Sequence, residues 1–163
     1  LTVEEHKIKQ MGNFKLTSSA FEDGGEIPRE CGYKNGNEEP PLTISGTPEG
    51  TKSLALIMDD PDAMGAVGKV WVHWVVWNIN HDTTDLKDKK TGMPSLNVEG
   101  MTDFGEFGYG GPAPPDKRHT YVFKLYALDS MLDLHGESSK TDVEKAMEGH
   151  IIEQVTLTGT YAP

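Results

Sequence analysis

Met58-Asp59-Asp60-Pro61-Asp62-Ala63, a glycine-containing bend, and then Val70-Trp71-Val72-His73-Trp74-Val75-Val76-Trp77-Asn78-Ile79 form the stretch on which the fold turns. The first piece sets carboxylates at the mouth of an apolar run. Pro61 fixes its own φ and offers no N–H, so the run ends there. The second piece carries no helical stripe, and its Val, Trp and Ile content suits a strand. Alternation groups Trp71, His73, Val75 and Trp77 on one face and Val72, Trp74, Val76 and Asn78 on the other. Both faces are mostly apolar, so the strand is central and covered on both sides. A covered strand gains nothing from a histidine unless a polar group meets it. His73 is therefore either a site residue or a core histidine bonded to a carbonyl or a carboxylate.

The rest of the chain supplies companions for this strand. Ser53 to Met58 is a short apolar strand leading into Asp60. His119 to Leu128 is a third, with His119, Tyr121, Phe123, Leu125 and Ala127 on one face. Shorter strand patterns surround Phe14 to Ser18, Leu42 and Ile44, and Val155, Leu157 and Tyr161. The spacing of Val143, Ala146, Met147, His150 and Ile151 predicts a helix over Thr141 to Gln154. Thr141-Asp142-Val143-Glu144 reads as its capping box, and Gly149 is its weak point. Residues 1–13 read as a loose arm and 14–163 as a single domain. His81 to Lys90 is charged, with room for one helical turn. Between Thr91 and Asp116 no periodicity holds, and a loop of that length in a small domain is usually functional.

The totals agree with a β-rich chain. Eighteen glycines and ten prolines in 163 residues favour many turns over a helix bundle. With 36% hydrophobic and 25% charged residues the chain is globular rather than disordered. Its formal charge of −11 repels phosphate backbones and anionic bilayers, so no nucleic-acid partner is expected. No apolar run reaches the length of a membrane span. Cys31 is the only cysteine, which rules out an internal disulfide and a CxxC metal pair and fits a cytoplasmic location, an exported form being the other option.

Four side chains stand out chemically: Asp60 and Asp62 around Pro61, and His73 and His119 on two strands, with Tyr121 beside the latter. Asp-Pro-Asp is also an ordinary turn sequence. The two acids and two histidines are metal-ligand types, which leaves a metal-dependent enzyme open, but their spacing follows no ligand pattern. Neither a GxSxG elbow nor a nucleotide-phosphate loop is present, and Cys31 has no histidine near it in sequence. No catalytic residue, cofactor or metal is therefore expected.

These pieces taken in order resemble a known family. Asp60-Pro61-Asp62-Ala63, His73-Trp74-Val75-Val76-Trp77-Asn78-Ile79, Gly108-Tyr109-Gly110-Gly111-Pro112-Ala113-Pro114-Pro115, His119-Thr120-Tyr121-Val122-Phe123 and Leu125-Tyr126-Ala127-Leu128-Asp129 resemble the phosphatidylethanolamine-binding protein family. The likeness is to its bacterial and archaeal, Raf-kinase-inhibitor-like branch. It extends to Leu16–Phe21, to Ala146–His150 and to Leu157–Tyr161. The resemblance implies a mainly β fold, with a large central antiparallel sheet packed on a smaller sheet and a few peripheral helices. It implies a non-enzymatic protein with a small pocket for phosphate or a phospholipid head group. Carried over by position, the pocket uses Asp60, Asp62, His73, His119 and Tyr121, backbone donors around Gly110 and Gly111, and Pro112 as a wall. Asp60 is expected to orient His73 and to favour its imidazolium form as a donor to the anion. The resemblance also implies an alternative, regulation of a protease or kinase partner through the rim loops. Met64 stands where the family usually has proline, and Thr120 where many eukaryotic members have arginine. The chain lacks the longer C-terminal segment of eukaryotic members.

Overall fold

Three apolar runs of the sequence become neighbouring strands in the computed structural model, which describes residues 13–86 and 97–163. The strands in chain order are β1 (Lys15–Thr17), β2 (Gly25–Glu26), β3 (Thr43–Ser45), β4 (Ser53–Asp60), β5 (Trp71–Asn80), β6 (Val98–Glu99), β7 (His119–Leu128) and β8 (Ile151–Tyr161). Two α-helices, α1 (Ala63–Val67) and α2 (Lys140–Met147), and a 3-10 turn at Arg29–Cys31 complete the set. Of the N-terminal arm expected over 1–13, only Asn13 lies within the described residues, and residues 87–96 lie outside them.

β4, buried along its whole length, is the centre of a six-stranded sheet ordered β2-β8-β7-β4-β5-β6. Its pairings are antiparallel except for β2 with β8, which run parallel. The large sheet is thus mixed at one edge, where an antiparallel sheet was expected. β1 and β3 form a two-stranded sheet. Leu16 and Ile44 from it join Leu54, Leu56, Met58, Phe123 and Leu125 in one core. On the opposite face, Val143 and Met147 of α2 pack with Ala55, Ile57, Val75 and Trp77. Burying a side chain of this size is worth about 1.5–3 kcal/mol, so covering both faces of β4 anchors the whole sheet.

β5 departs from simple alternation. Between Met58 and Asp59 the chain of β4 advances one residue, while its partner on β5 goes from Trp74 to Val72. His73 is the extra residue of a β-bulge, which turns its side chain away from the face of Val75 and Trp77. A second irregularity falls at Asn78, whose φ is 55°. The face shared by Trp71, His73, Val75 and Trp77 in the sequence pattern is therefore split.

The C-terminal helix is shorter than its pattern. α2 ends at Met147, Gly149 follows at φ 80°, and β8 begins at Ile151. Ile151 extends the helical spacing in sequence but is exposed on a strand. The capping box is Ser139 with Asp142, two residues before the expected Thr141 and Glu144: the Asp142 N–H donates to Ser139 Oγ, and the Ser139 N–H donates to Asp142 Oδ2 at 3.0 Å. Among the described residues no helix is long and apolar enough to cross a membrane.

Candidate functional site

Asp60 is the last residue of β4 and lies between β5 and β7, opposite Trp71. The order β7-β4-β5 therefore brings His119 and Tyr121 to Asp60 from one side and His73 from the other. The ring centroids of His73 and Tyr121 are 5.1 Å apart, edge to face. Against the His73 ring is a cavity of about 130 Å³, lined by Asp60, Trp71, His73, Phe104 and His119, with Ala63, Ala66 and Val67 of α1 and Ala113 and Pro115 of the long loop, Tyr121 lying behind His73 and off the lining. A larger groove of about 520 Å³ lies between Phe14–Ser18 and Val155–Leu157, but no histidine lines it.

The two histidines are held in opposite states. His119 Nδ1 lies 2.6 Å from Asp60 Oδ2, and its Nε2 lies 2.7 Å from Asp116 Oδ1. Carboxylates accept, so both ring nitrogens donate and the ring is an imidazolium. Burial opposes that charge, but the bonds and charges of Asp60 and Asp116 outweigh it and raise the His119 pKa. His73 Nδ1 donates to the Gly110 carbonyl at 2.7 Å. Burial lowers the His73 pKa, and the Gly110 carbonyl and the Asp60 charge offset only part of this. The ring is neutral and its Nε2 is an acceptor. The expected pairing of Asp60 with a charged His73 is therefore replaced: Asp60 bonds His119, and His119 carries the charge.

Two buried polar atoms at the site, Asp60 Oδ1 and the Tyr121 hydroxyl, make no well-formed hydrogen bond among the described residues, although the hydroxyl lies near Asp60 and the Ala113 backbone. Burial first, and then the Asp60 charge, raise the Tyr121 pKa, so the hydroxyl keeps its proton and can donate. The indole N–H of Trp71, also on the lining, is buried without a partner as well.

The glycine loop does something other than was expected. The Gly110 N–H donates to the His73 carbonyl at 2.8 Å, and the Gly111 N–H donates to Asn37 Oδ1 at 2.7 Å. Both expected donors are spent inside the protein. The glycines serve close approach instead: a Cβ on Gly111 would stand 2.0 Å from the Cys31 carbonyl oxygen, and one on Gly110 2.6 Å from the Phe104 ring. Pro112 is buried behind the wall, its carbonyl accepting from the Tyr33 N–H, while Ala113 and Pro115 line the cavity. Asp62 is exposed at the start of α1, and its Oδ2 accepts from the Thr120 N–H at 2.8 Å. With Thr120 in place of an arginine, that carboxylate fixes the strand backbone.

Phe104 and Asp116 had no signal in the sequence. Phe104 comes from the aperiodic loop and stacks on Tyr33, ring centroids 4.1 Å apart. Asp116 precedes His119 by three residues, a spacing with no fixed geometry outside a helix. Among the described residues no group of three or more His, Cys, Asp or Glu is arranged to hold a metal ion. Both nitrogens of His119 are committed to carboxylates, which does not suit the metal alternative.

Residues 17–162 match the family described as phosphatidylethanolamine-binding protein. A UPF0098 protein of Methanothermobacter thermautotrophicus is 46% identical over 149 residues, covering 90% of this chain and 97% of its own. Among solved structures, a phosphatidylethanolamine-binding protein homolog from Chlamydia trachomatis superimposes with a TM-score of 0.82 at 38% identity, over 91% of this chain and 96% of its own. YbcL of E. coli, described as a member of the mammalian PEBP family, gives 0.80 at 35% identity, over 91% and 97%.

Proposed function

The chain belongs to the phosphatidylethanolamine-binding protein family, and on that premise we propose that its cavity binds a phosphate-like head group as a receptor, without catalysis. The observation that carries this is a pair of buried atoms that make no well-formed hydrogen bond, Asp60 Oδ1 and the Tyr121 hydroxyl, Asp60 lining one small cavity and Tyr121 packing on the His73 ring that also lines it. An orphaned buried polar atom costs about 1–3 kcal/mol, and a ligand that meets both removes that cost. Tyr121 donates to an anionic oxygen. Asp60 Oδ1 and His73 Nε2 accept, so the ligand also carries a proton, as an acid phosphate or an ammonium-bearing head group does. The cavity, about 130 Å³, has room for about four waters at the ~30 Å³ each takes in the liquid, which suits a head group and leaves any acyl chain outside. Asp60, His73 and His119 make up the binding wall, with Tyr121 behind His73; Asp62, Gly110, Gly111 and Pro112 act by holding the backbone around it. The lining contains no Ser, Thr or Cys nucleophile.

Titration calorimetry with inorganic phosphate and with phosphoethanolamine tests the reading. Both bind the wild type, phosphoethanolamine more tightly, and His73→Gln weakens both by about tenfold or more, the loss of one charge-assisted bond. No heat from either ligand sinks the reading.

A second reading has the rim regulate a protein partner, a serine protease or a kinase-pathway protein, as a Raf-kinase-inhibitor-like branch would. Its support is the exposure of Met64 (58%) and Val67 (52%) on α1 beside the cavity. A partner held by this rim is retained on immobilised protein and lost with Met64→Glu, whereas head-group binding survives that change. Either reading is compatible with a cytoplasmic protein and with an exported one.

A further inference from the structure

We propose that Asp116 is the pocket's own resident anion: its carboxylate occupies the His119 Nε2–H, and an incoming oxyanion binds by displacing it. The inference rests on the head-group reading above and adds a competitor that sets affinity and selectivity. His119 is fully buried at its side chain and its Nδ1–H is fixed on Asp60, so Nε2–H is the one ring donor turned toward the loop. The group it meets is a carboxylate oxygen at 2.7 Å, the contact an external carboxylate or phosphate would make.

The two carboxylates on this ring are not alike. Asp60 is buried at the end of a central strand and cannot leave. Asp116 is on the loop between Pro115 and Lys117 with 43% of its side chain exposed. Neighbouring amides of Lys117 and Asp116 itself also favour its charged form, but a rotation about χ1 carries it into water, where a carboxylate is well solvated. Displacement also corrects the charge around the cavity. Asp60 and Asp116 flank a single imidazolium, two negative charges on one positive, an arrangement that repels a further anion. With Asp116 swung out, one negative charge leaves as the ligand's arrives, and the donor is not left unmet. A cationic ligand would instead gain from Asp116 staying in place, so the same residue discriminates between an anion and a lone amine.

The test compares wild type, Asp116→Asn and Asp116→Ala, with inorganic phosphate and ethanolamine as probes in calorimetry and the ¹⁵N shift of His119 Nε2 followed by NMR. Displacement predicts that phosphate moves the Nε2 signal in the wild type. It predicts that Ala binds phosphate about tenfold more tightly, one charge-assisted bond no longer contested. Asn falls between, because its amide oxygen still accepts from Nε2–H but carries no charge. Ethanolamine shows the reverse order. Equal tightening in Asn and Ala reduces Asp116 to a distant charge and overturns the proposal, as does weaker phosphate binding in Ala. Equal phosphate binding in all three proteins overturns displacement while the head-group reading stands. Phosphate binding in none of them overturns both.

Discussion

Asp59 and Asp60 are adjacent in β4 and about equally buried, at 2% and 3% exposure, yet they face opposite sides of the sheet. Asp59 Oδ2 accepts from Lys140 at 2.7 Å and from Lys124 at 3.4 Å, joining α2 and β7 on the helical side. Asp60 has one oxygen on His119 and the other in no well-formed bond. The first carboxylate is closed by two cations; the second is closed by half. A buried charge with its partners in place holds elements together, whereas one with an open valence is a receptor for whatever fills it. That difference separates the structural face of this sheet from the face proposed to bind the head group.

The largest test of this contrast is Asp59→Ala. It strands two lysines and lowers unfolding free energy by about 3 kcal/mol in urea denaturation, at the low end for a broken buried pair because the lysines reach water. Head-group affinity stays near wild type. A collapse of affinity without loss of stability would erase the division between the faces. Next is Tyr121→Phe, which removes a hydroxyl that makes no well-formed bond. Phosphate affinity falls about tenfold while stability rises by about 1 kcal/mol, since folding no longer strips water from a hydroxyl that gains no well-formed bond in return. A loss of stability equal to the loss of binding would place that hydroxyl among the structural groups. Ser139→Ala removes the cap of the helix that carries Lys140 and costs about 1 kcal/mol; thermal unfolding of this variant and of its combination with Asp59→Ala shows whether cap and ion cluster are coupled.

The finest test is the pH profile of stability. His119 has a raised pKa, so its contribution is complete below the unfolded histidine value near 6.5 and fades as pH climbs through the raised value. His73 has a lowered pKa. Below about 6.5 the unfolded chain takes a proton that the folded ring refuses, so stability falls as pH drops toward the lowered value. Urea midpoints between about pH 5 and about pH 8 therefore lose their alkaline limb in His119→Gln and their acid limb in His73→Gln. The opposite assignment of limbs would exchange the charge states of the two rings.

The strands of the sheet were legible because burial on both faces writes itself as long apolar runs: β7 follows its pattern from His119 to Leu128, with the predicted face inward. The helix was overextended because Ile151 fits a helical period by type, and only the positive φ of Gly149 breaks it. At the site, Asp60, His73, His119 and Tyr121 were legible as polar groups in apolar strands, and they converge. The partner of Asp60 was not, because both histidines reach its face, His73 only through a one-residue bulge that alternation does not mark, and the Gly110 carbonyl takes the His73 ring while His119 takes the carboxylate. The donors expected at Gly110 and Gly111 failed for another reason. A glycine permits close approach equally to a ligand and to the protein itself, and here Cys31, Phe104 and Asn37 take the space and the amide. Asp116 and Phe104 belong to a loop whose geometry depends on contacts distant in sequence.

The reciprocal bonds between His73 and Gly110 have a kinetic consequence. The Gly110 amide is given to a β5 carbonyl while its own carbonyl takes a hydrogen from the His73 ring. Solvent deuterium reaches that amide only when the loop lifts from His73 and both bonds break together, so it exchanges more slowly than loop amides that face water. At Gly110 the loop wall of the pocket is thus tied to the sheet. The other bank of the cavity is the five-residue helix Ala63–Val67. For the proposed ligand, residence time is then expected to follow how readily that short helix yields.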